Sequence, residues 1–450
     1  MAVQPSDLIV SVSGIRGIVG ESLTPEAACR FAAALGTHLK GGRVIVSRDG
    51  RPSGEMLKHA VLSGLFAAGC HADDIGICPT PTVGIAVRRL GAAGAIQITA
   101  SHNPAPWNGL KLFGSDGAVL SAAVGKQVQT IYETGQFTRV KWDHVGTLRI
   151  PPDVQEDHAR LVLDHVSVAS VAAMRFRVFL DANGGSGGPL GIRLLSELGC
   201  EIVQHNCDPN GEFVHEPEPT PANLVDVAPW VKQTGSAVGF VLDPDADRLA
   251  LIDENGECVS EELTLALAVR YRLKETKGPV VVNMSTSRVI QDLAIAAGCS
   301  FSRSAVGEAN VVQQMRNVSA VIGGEGNGGV IDPRIGWVRD PYIGMALILS
   351  ALADEGKLLS ELLATLPKYA MLKTKFAVNP ERLKSVLSDL PGRFPNANAN
   401  TLDGVRLDGP DWWLHVRPSN TEPVVRVIAE APTMEQAQDL CDKAGALLKI

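Results

Sequence analysis

The chain has 450 residues, of which 45% are hydrophobic and 20% charged, and its net charge is −8. This length predicts three or four domains of about 100–150 residues, because a single core does not grow so large. The acidic balance argues against a nucleic-acid partner. The sequence has neither an apolar run of about 18 residues nor a basic-then-apolar leader, so we expect no membrane span and no secretory signal.

The eight cysteines are scattered and form no Cys-x-x-Cys pair, and the ten histidines show no metal-ligand spacing. In a chain of this size, the pattern predicts reduced thiols in a cytoplasmic protein and not a disulfide framework.

One plan recurs three times along the chain. A helical pattern ends in Gly-Cys at Gly69, Gly199 and Gly298, where a glycine is typical of a helix C-terminus. Further along each copy, an apolar strand is followed directly by a polar loop. The predicted exit strands are Gly94–Ile98, Ala237–Leu242 and Ala320–Ile322, and the exit loops are Thr99–Pro104, Asp243–Arg248 and Gly323–Gly329. Duplication of a strand-helix unit predicts three similar α/β domains with mixed sheets. The alternative is that the order helix, glycine, strand is simply common in α/β proteins.

Turn residues divide the chain further. Turn-forming residues occur at Pro151-Pro152, at Asp253–Gly256 and around Pro367. They predict four domains, over 1–150, 151–254, 255–367 and 368–450. In the last domain we expect a helix near Pro380–Leu390, turn-rich strands and an amphipathic closing helix over Thr433–Leu448. The pattern indicates a smaller C-terminal α+β domain.

Two loops of the first domain offer polar groups. Arg16 lies on the glycine-containing stretch Ser11–Gly17, which is equally compatible with an ordinary turn. The stretch Thr99–Pro104 places Ser101 beside His102 just after an apolar strand, at the sheet edge where α/β enzymes hold their reacting groups. A serine here can also cap a helix or close a turn.

The loop Asp243–Arg248 carries three carboxylates at alternate positions between two apolar strands. Hard oxygen donors so closely spaced suit Mg²⁺. An EF-hand is disfavoured because Arg248 stands at the sixth position, where that loop requires glycine. A solvated acidic turn and an aspartyl nucleophile stay open as alternatives.

Two later loops carry groups that could bind a ligand. The glycines of Gly323–Gly329 allow backbone to approach a ligand, while Glu325 and Asn327 can bond hydroxyls or an amine. The stretch Arg417–Pro423 together with Arg426 has the guanidinium and hydroxyl groups of a phosphate cradle. A flexible loop and a capped turn with surface arginines are the respective alternatives.

Five stretches in register resemble the α-D-phosphohexomutase family over the whole chain. They are Ser13–Gly17, Thr99–Pro104 with Asn108–Lys111, Asp243–Arg248, Gly324–Gly329 and Arg417–Arg426. The Gly-Glu-Gly-Asn-Gly-Gly form of the fourth stretch looks most like the archaeal-type phosphoglucosamine mutase branch. The phosphomannomutase/phosphoglucomutase branch is a close alternative.

The resemblance implies four domains around a central active-site cleft and a hexose phosphate as substrate. It implies that Ser101 carries a phosphoryl group beside Mg²⁺, with a glucose or hexosamine 1,6-bisphosphate as intermediate and activator. The metal ligands implied are Ser101, Asp243, Asp245 and Asp247. The catalytic partners implied are Arg16, His102 and Lys111. The substrate contacts implied are Arg248, Glu325, Asn327, Arg417, Ser419, Asn420, Thr421 and Arg426. The oligomeric state, a homodimer included, stays open.

One position departs from some relatives. Where they carry a histidine at the end of the sugar loop, this chain has Gly329. We therefore expect Lys111 and His102, and not this loop, to move the proton. A non-catalytic sugar-phosphate binding protein is the competing hypothesis, but it would be expected to lack Ser101 or one of the aspartates.

Overall fold

The computed structural model describes residues 8–11, 14–377, 380–418 and 424–449. Its first segment is a mixed seven-stranded sheet in the order β1-β2-β6-β5-β3-β4-β7, with helices on both faces. The elements are β1 (Ile9–Ser11), β2 (Gly14–Ile18), α1 (Pro25–Leu39), β3 (Gly42–Arg48), α2 (Gly54–Ala67), β4 (Cys70–Ile77), α3 (Thr80–Leu90), β5 (Gly94–Ile98), β6 (Trp107–Gly114), α4 (Ala122–Thr134) and β7 (Leu148–Arg149).

The second segment has a four-stranded sheet in the order β11-β10-β8-β9. Its elements are α5 (Val154–Leu163), α6 (Val168–Met174), β8 (Arg177–Asp181), α7 (Gly188–Glu197), β9 (Glu201–His205), α8 (Ala228–Gln233), β10 (Val238–Leu242) and β11 (Leu249–Asp253). All five residues of β10 are buried, which explains why this strand reads as a continuous apolar run.

The third segment again alternates strands and helices. Its elements are α9 (Glu261–Glu275), β12 (Val280–Asn283), α10 (Val289–Ala296), β13 (Phe301–Ser304), α11 (Glu308–Val318), β14 (Ile322–Glu325), β15 (Gly329–Ile331), α12 (Pro341–Glu355) and α13 (Leu359–Ala364). Strand β12 lies between β13 and β14 and is parallel to both.

The fourth segment is an antiparallel sheet in the order β16-β20-β19-β18-β17. Its elements are β16 (Ala370–Phe376), α14 (Pro380–Arg393), β17 (Asn398–Asn400), β18 (Val405–Asp408), β19 (Trp413–Pro418), β20 (Val425–Ala431) and α15 (Met434–Lys449). Alternate residues of β18, β19 and β20 pack with α14 and α15 in one apolar core, which leaves the other face of the sheet for polar side chains.

Chain contacts divide the molecule into two compact units. The first unit is Met1–Tyr271 with Asn327–Ala364, and the second is Arg272–Gly326 with Thr365–Ile450. Among the described residues, no helix has the length and apolar character needed to cross a bilayer.

The predicted three-fold repetition is confirmed by strand order. The arrangements β4-β3-β5, β9-β8-β10 and β13-β12-β14 are equivalent, and each is parallel. Gly69, Gly199 and Gly298 all have positive φ just after their helices, as a C-terminal glycine requires. The last strand of each copy ends where a polar loop begins, so equivalent loops lie at equivalent sheet edges.

One predicted boundary is wrong. The third exit strand is Ile322–Glu325 and not Ala320–Ile322, and the glycine-rich stretch is split between β14 and β15. Gly323 pairs with Val281 inside the sheet, where a Cβ would lie 2.5 Å from the Val281 carbonyl oxygen and 2.6 Å from Met315 Sδ. These glycines read as a loop in the sequence, but close backbone packing in a strand requires them.

Candidate active site

Ser101 lies just beyond β5 in the first unit. Its backbone has φ +51°, an uncommon value for a residue with a Cβ. The side chain is almost fully buried, and Oγ lies 3.2 Å from Asp243 Oδ2 and 3.4 Å from His102 Nδ1. The structure therefore brings the predicted serine, histidine and aspartate together, although Ser101 and Asp243 follow strands of different sheets.

Arg51 holds the loop that carries Ser101. Its guanidinium donates to four backbone carbonyl oxygens, at 2.8 Å (Ser101), 2.6 Å (Asn103), 2.8 Å (Pro104) and 2.9 Å (Trp107). Arg51 is itself 1% exposed and is paired through Nε with Asp49 Oδ2 at 3.1 Å. Because one planar guanidinium satisfies so many carbonyls, it fixes the whole turn around the serine.

A second contact fixes the entry to this loop. Ser101 N donates to Thr99 Oγ1 at 2.9 Å, and Thr99 Oγ1 donates to Asp49 Oδ2 at 2.7 Å. Asp49 thus connects Arg51 with the residue two positions before the serine. The left-handed backbone at Ser101 persists because buried polar partners on both sides determine it.

The predicted acidic loop is a buried cluster. Asp243, Asp245 and Asp247 are fully buried, and one donor oxygen from each lies within 4.8 Å of the others. Ala246 has φ +50°, and this turn directs the alternate carboxylates inward. Asp243 Oδ1 accepts from the backbone N of Asp247 at 3.0 Å and of Arg248 at 3.1 Å.

Cations from other parts of the first unit contact this cluster. Lys111 Nζ bridges Asp245 Oδ2 at 2.9 Å and Asp247 Oδ2 at 2.8 Å, and Arg339 Nη2 lies 2.5 Å from Asp247 Oδ2. Thr80 Oγ1 donates to Asp245 Oδ2 at 2.6 Å. Lys111 is on β6, whereas Arg339 comes shortly after β15.

The pKa values of the three carboxyl groups are shifted in different directions. Burial, followed by the charges of Asp245 and Asp247, holds the pKa of Asp243 well above its ordinary value. Burial alone would raise the pKa of Asp245, but the Lys111 ammonium and the Thr80 hydrogen bond lower it. Burial also opposes ionisation of Asp247, and the Arg339 guanidinium outweighs it and lowers that pKa.

The cluster is suited to a small hard cation. Asp245 Oδ1 and Asp247 Oδ1 are buried and accept no hydrogen bond in the part of the chain described. Buried carboxylate oxygens without donors are costly unless a cation or donor satisfies them. The donor set consists of oxygens alone, which is the preference of Mg²⁺.

Next to Ser101, His102 contacts Arg248. Arg248 Nη2 lies 2.9 Å from His102 Nδ1, and Arg248 Nη1 donates to Glu218 Oε1 at 3.1 Å. The Arg248 charge, together with burial and Arg16, holds the pKa of His102 well below its ordinary value. These positive charges and burial thus disfavour the protonated imidazole. Arg16 Nη1 approaches Asn103 Oδ1 at 3.4 Å, on the same turn.

In the second unit, Glu325 is the last residue of β14 and is buried. Its Oε1 accepts from Asn283 Nδ2 at 2.8 Å and from the backbone N of Gly307 at 3.1 Å. These donors hold the carboxylate in one orientation. Asn327 belongs to the first unit, and its buried Oδ1 accepts no hydrogen bond from any residue that the structure describes.

Arg417 and Arg426 are directly opposite each other on β19 and β20, and Lys375 on β16 is opposite Arg426. Residues paired in this way lie on the same face of a sheet, where like charges repel. Arg417 Nε donates to Asp403 Oδ2 at 3.0 Å. A row of three cations beside one carboxylate is a chemically reasonable anion site. Ser419, Asn420 and Thr421 lie outside the described residues.

Sequence reasoning missed several of these residues. They are Arg51, Glu218, Arg339, Lys375 and Asp403. A signal for Arg51 was available, because Asp49-Gly50-Arg51 follows the apolar strand β3 as Ser101 follows β5. The others have no local signal, since their partners are distant in sequence.

Four family models cover most of the chain. They are phosphoglucomutase/phosphomannomutase alpha/beta/alpha domain I (residues 7–139), domain II (156–256), domain III (261–369) and the C-terminal domain (374–445).

Relatives and a solved structure match over nearly the full length. The probable phosphoglucosamine mutase of Methanopyrus kandleri is 38% identical, over 96% of this chain and 95% of its own. The phosphoglucomutase/phosphomannomutase of Thermococcus kodakarensis is 37% identical, over 97% of both chains. A crystal structure of a phosphoglucomutase/phosphomannomutase family protein from Burkholderia thailandensis superposes with a TM-score of 0.87 at 28% identity, covering 98% of this chain and 97% of that one.

We predict that Arg51→Lys loosens the Ser101 loop. An ammonium cannot satisfy four carbonyls and Asp49 together, so amide exchange over 101–107 should accelerate and the protein should lose about 3 kcal/mol of stability. Hydrogen exchange with mass spectrometry and denaturant unfolding measure the two effects. Arg43→Lys is the matched control, because the Arg43 ion pair with Asp73 is one-third exposed at Arg43. Equal loop protection in both variants would contradict the assignment.

A second prediction concerns His415, which is fully buried in the second unit. Its Nε2 contacts the Asp403 carbonyl at 2.7 Å and Nδ1 contacts Ser285 Oγ at 3.0 Å. Burial, helped by the charges of Arg406 and Arg417, lowers the pKa of His415 to about 4.

Between pH of about 6.5 and 4, the unfolded chain binds a proton at this position and the folded chain does not, so the free energy of unfolding should fall as pH falls. His415→Gln should flatten this fall, whereas the exposed His59→Gln should not. Denaturant unfolding at several pH values makes the comparison, and an unchanged slope in His415→Gln would refute it.

Proposed function

Because the chain belongs to the phosphoglucomutase/phosphomannomutase family, and is therefore an intramolecular phosphotransferase, we propose that it moves a phosphoryl group between O1 and O6 of a hexose phosphate. The preferred substrate in this proposal is glucosamine phosphate. The observation that carries the mechanism is the Ser101 hydroxyl, held on a left-handed turn 3.2 Å from the buried three-carboxylate cluster.

The reaction proceeds in two balanced transfers. In the first, the P–Oγ bond of phosphorylated Ser101 breaks, a P–O bond forms to the free sugar hydroxyl, and the hydroxyl proton leaves. Ser101 becomes a hydroxyl again and the sugar a 1,6-bisphosphate. In the second, the other phosphoryl group passes to Ser101: a P–Oγ bond forms, the P–O bond to the sugar breaks, the Ser101 hydroxyl loses its proton and the freed sugar oxygen gains one. Free bisphosphate activates the enzyme by phosphorylating Ser101 in the same way.

Positioning and charge neutralisation dominate such a transfer. Ser101, Asp243, Asp245 and Asp247 would hold Mg²⁺, which supplies Lewis-acid neutralisation of phosphoryl charge. Lys111 and Arg16 add positive charge near the same turn. We assign proton movement to Lys111 and His102. His102 Nδ1 lies 3.4 Å from Ser101 Oγ, and this distance supports the role of His102.

The remaining assignments concern binding. In the first unit, Arg248 contacts the sugar or the phosphate, and Asn327 forms a hydrogen bond with the sugar. In the second unit, Glu325 binds sugar hydroxyls or an amine, since its carboxylate is preoriented by Asn283 and Gly307. Arg417 and Arg426, with Ser419, Asn420 and Thr421, grip the phosphate that is not reacting. The paired register of the two arginines supports this assignment.

Two observations bear on the identity of the sugar. The relative from Methanopyrus kandleri carries the name probable phosphoglucosamine mutase, which supports the amino sugar. The relative from Thermococcus kodakarensis, at nearly the same identity, carries the name phosphoglucomutase/phosphomannomutase. A mutase of mannose and glucose phosphates is therefore the second candidate.

We place the enzyme in the cytoplasm, a location compatible with its eight free cysteines.

We predict that Ser101→Ala abolishes isomerisation, by at least about a thousandfold, because no oxygen remains to carry the phosphoryl group. Binding of hexose phosphate should stay within about threefold. Exposed Ser63→Ala is the control and should retain full activity. Intact mass after incubation with glucose 1,6-bisphosphate should show one added phosphoryl group in wild type and none in Ser101→Ala. Turnover by Ser101→Ala would overturn the phosphoserine mechanism.

We further predict that kcat/KM for glucosamine phosphate exceeds the values for glucose and mannose phosphates by about tenfold, or roughly 1.4 kcal/mol. The assay contains Mg²⁺ and a trace of 1,6-bisphosphate. A preference for mannose or glucose would select the second candidate. Absence of turnover with every sugar, although each still binds, would select a non-catalytic sugar-phosphate binding protein.

A further inference from the structure

The absence of a side chain at Gly329 makes room for Arg339. A Cβ built on Gly329 would lie 2.3 Å from Arg339 Cδ and 2.9 Å from Arg339 Cγ. Gly329 is not among the glycines with positive φ, so an L side chain would not strain its backbone. Steric room, and not backbone freedom, is therefore the reason for glycine here.

The backbone around this pair is fixed. Asp340 N donates to Val330 O at 2.7 Å, which joins the residues next to Gly329 and Arg339. Asp340 also caps α12, accepting from Tyr342 N at 2.8 Å, and its Oδ2 contacts His158 Nε2 at 2.8 Å. With both backbones anchored, a side chain at 329 would displace the Arg339 side chain and not the chain itself.

The displaced group would be one that neutralises the carboxylate cluster. Arg339 Nη2 and Lys111 Nζ both contact Asp247 Oδ2, at 2.5 Å and 2.8 Å, and Lys111 also contacts Asp245. Both Asp245 and Asp247 are therefore already paired with a cation before any metal binds. An added Mg²⁺ has to compete with these two cations for the carboxylates.

We propose that Lys111 and Arg339 are internal counter-ions that keep Mg²⁺ affinity low until Ser101 is phosphorylated. In this proposal, the absence of a side chain at Gly329 leaves the space that the Arg339 side chain needs to reach Asp247. This proposal rests on the phosphoserine of the proposed function. A phosphoryl dianion on Ser101 offers the two cations new oxygen partners, which frees Asp245 and Asp247 for the metal. Metal and phosphoryl group then favour each other's binding, as linkage between two sites requires.

The roles differ between the two counter-ions. Lys111 already belongs to the reacting site, so its replacement would alter catalysis for several reasons. Arg339 acts on the metal through Asp247 and is a positioning residue. Its replacement has a distinctive consequence, because loss of a side chain from an active site ordinarily weakens metal binding, whereas loss of a counter-ion strengthens it.

The test measures Mg²⁺ dissociation constants by titration calorimetry, with Ser101 unphosphorylated and after phosphorylation by glucose 1,6-bisphosphate. Wild type should bind Mg²⁺ at least about tenfold more tightly when phosphorylated. Unphosphorylated Arg339→Met should bind Mg²⁺ about tenfold more tightly than unphosphorylated wild type, and the ratio between its two states should shrink. Unchanged or weaker binding by unphosphorylated Arg339→Met would overturn the proposal.

Three further variants and one control test the details. Arg339→Lys keeps a positive charge and should retain weak Mg²⁺ binding. Gly329→Ala should reproduce Arg339→Met, and the double variant should show no added effect, because both changes remove the same contact. Gly329→Ala with wild-type affinity would overturn the role of Gly329. Arg334→Met is the control, since Arg334 pairs with Asp332 on the same loop.

Failure of the proposed function gives a different result. If Ser101 gains no phosphoryl group by intact mass, the mutase mechanism fails. The unphosphorylated titrations of wild type, Arg339→Met and Gly329→Ala still decide whether Arg339 is a counter-ion.

Discussion

The burial of three carboxyl groups within 4.8 Å of one another is the constraint on which the first unit depends. Each charge loses hydration and repels the other two, so the cluster is stable only with compensating partners. The partners come from several elements: Thr80 at the start of α3, Lys111 on β6 and Arg339 before α12. Folding of the first unit therefore brings these elements together around the three carboxyl groups.

A second polar network solves a different problem. The turn around Ser101 directs four carbonyl oxygens at the buried guanidinium of Arg51, which donates a hydrogen bond to each of them. Phe213 lies against the same guanidinium, with its ring centroid 4.9 Å from Arg51 Cζ. The geometry of the Ser101 turn is thus maintained by Arg51, a residue that makes its contacts with the backbone of the turn and not with the Ser101 hydroxyl.

The three-fold repeat of one strand order places different polar residues at equivalent positions. The same order of three parallel strands places polar residues at or just beyond the ends of β5, β10 and β14, where the chain carries a serine, three aspartates and a glutamate, respectively. Strand order fixes where each loop begins, whereas its composition determines its chemistry. In the C-terminal segment, an antiparallel sheet instead aligns Lys375, Arg426 and Arg417 in one row.

The sequence by itself determined the three-fold repeat, the exit loops and the candidate residues Ser101, Asp243, Asp245 and Asp247, because strand periodicity, C-terminal glycines and polar loop composition are local properties. It misplaced β14, since paired glycines in a strand look like those of a loop. Tertiary structure alone decided that Arg51 holds the serine turn and that Arg339 neutralises Asp247, 92 residues away. Such pairings depend on which side chains packing brings together, and no local pattern of residues encodes that distance.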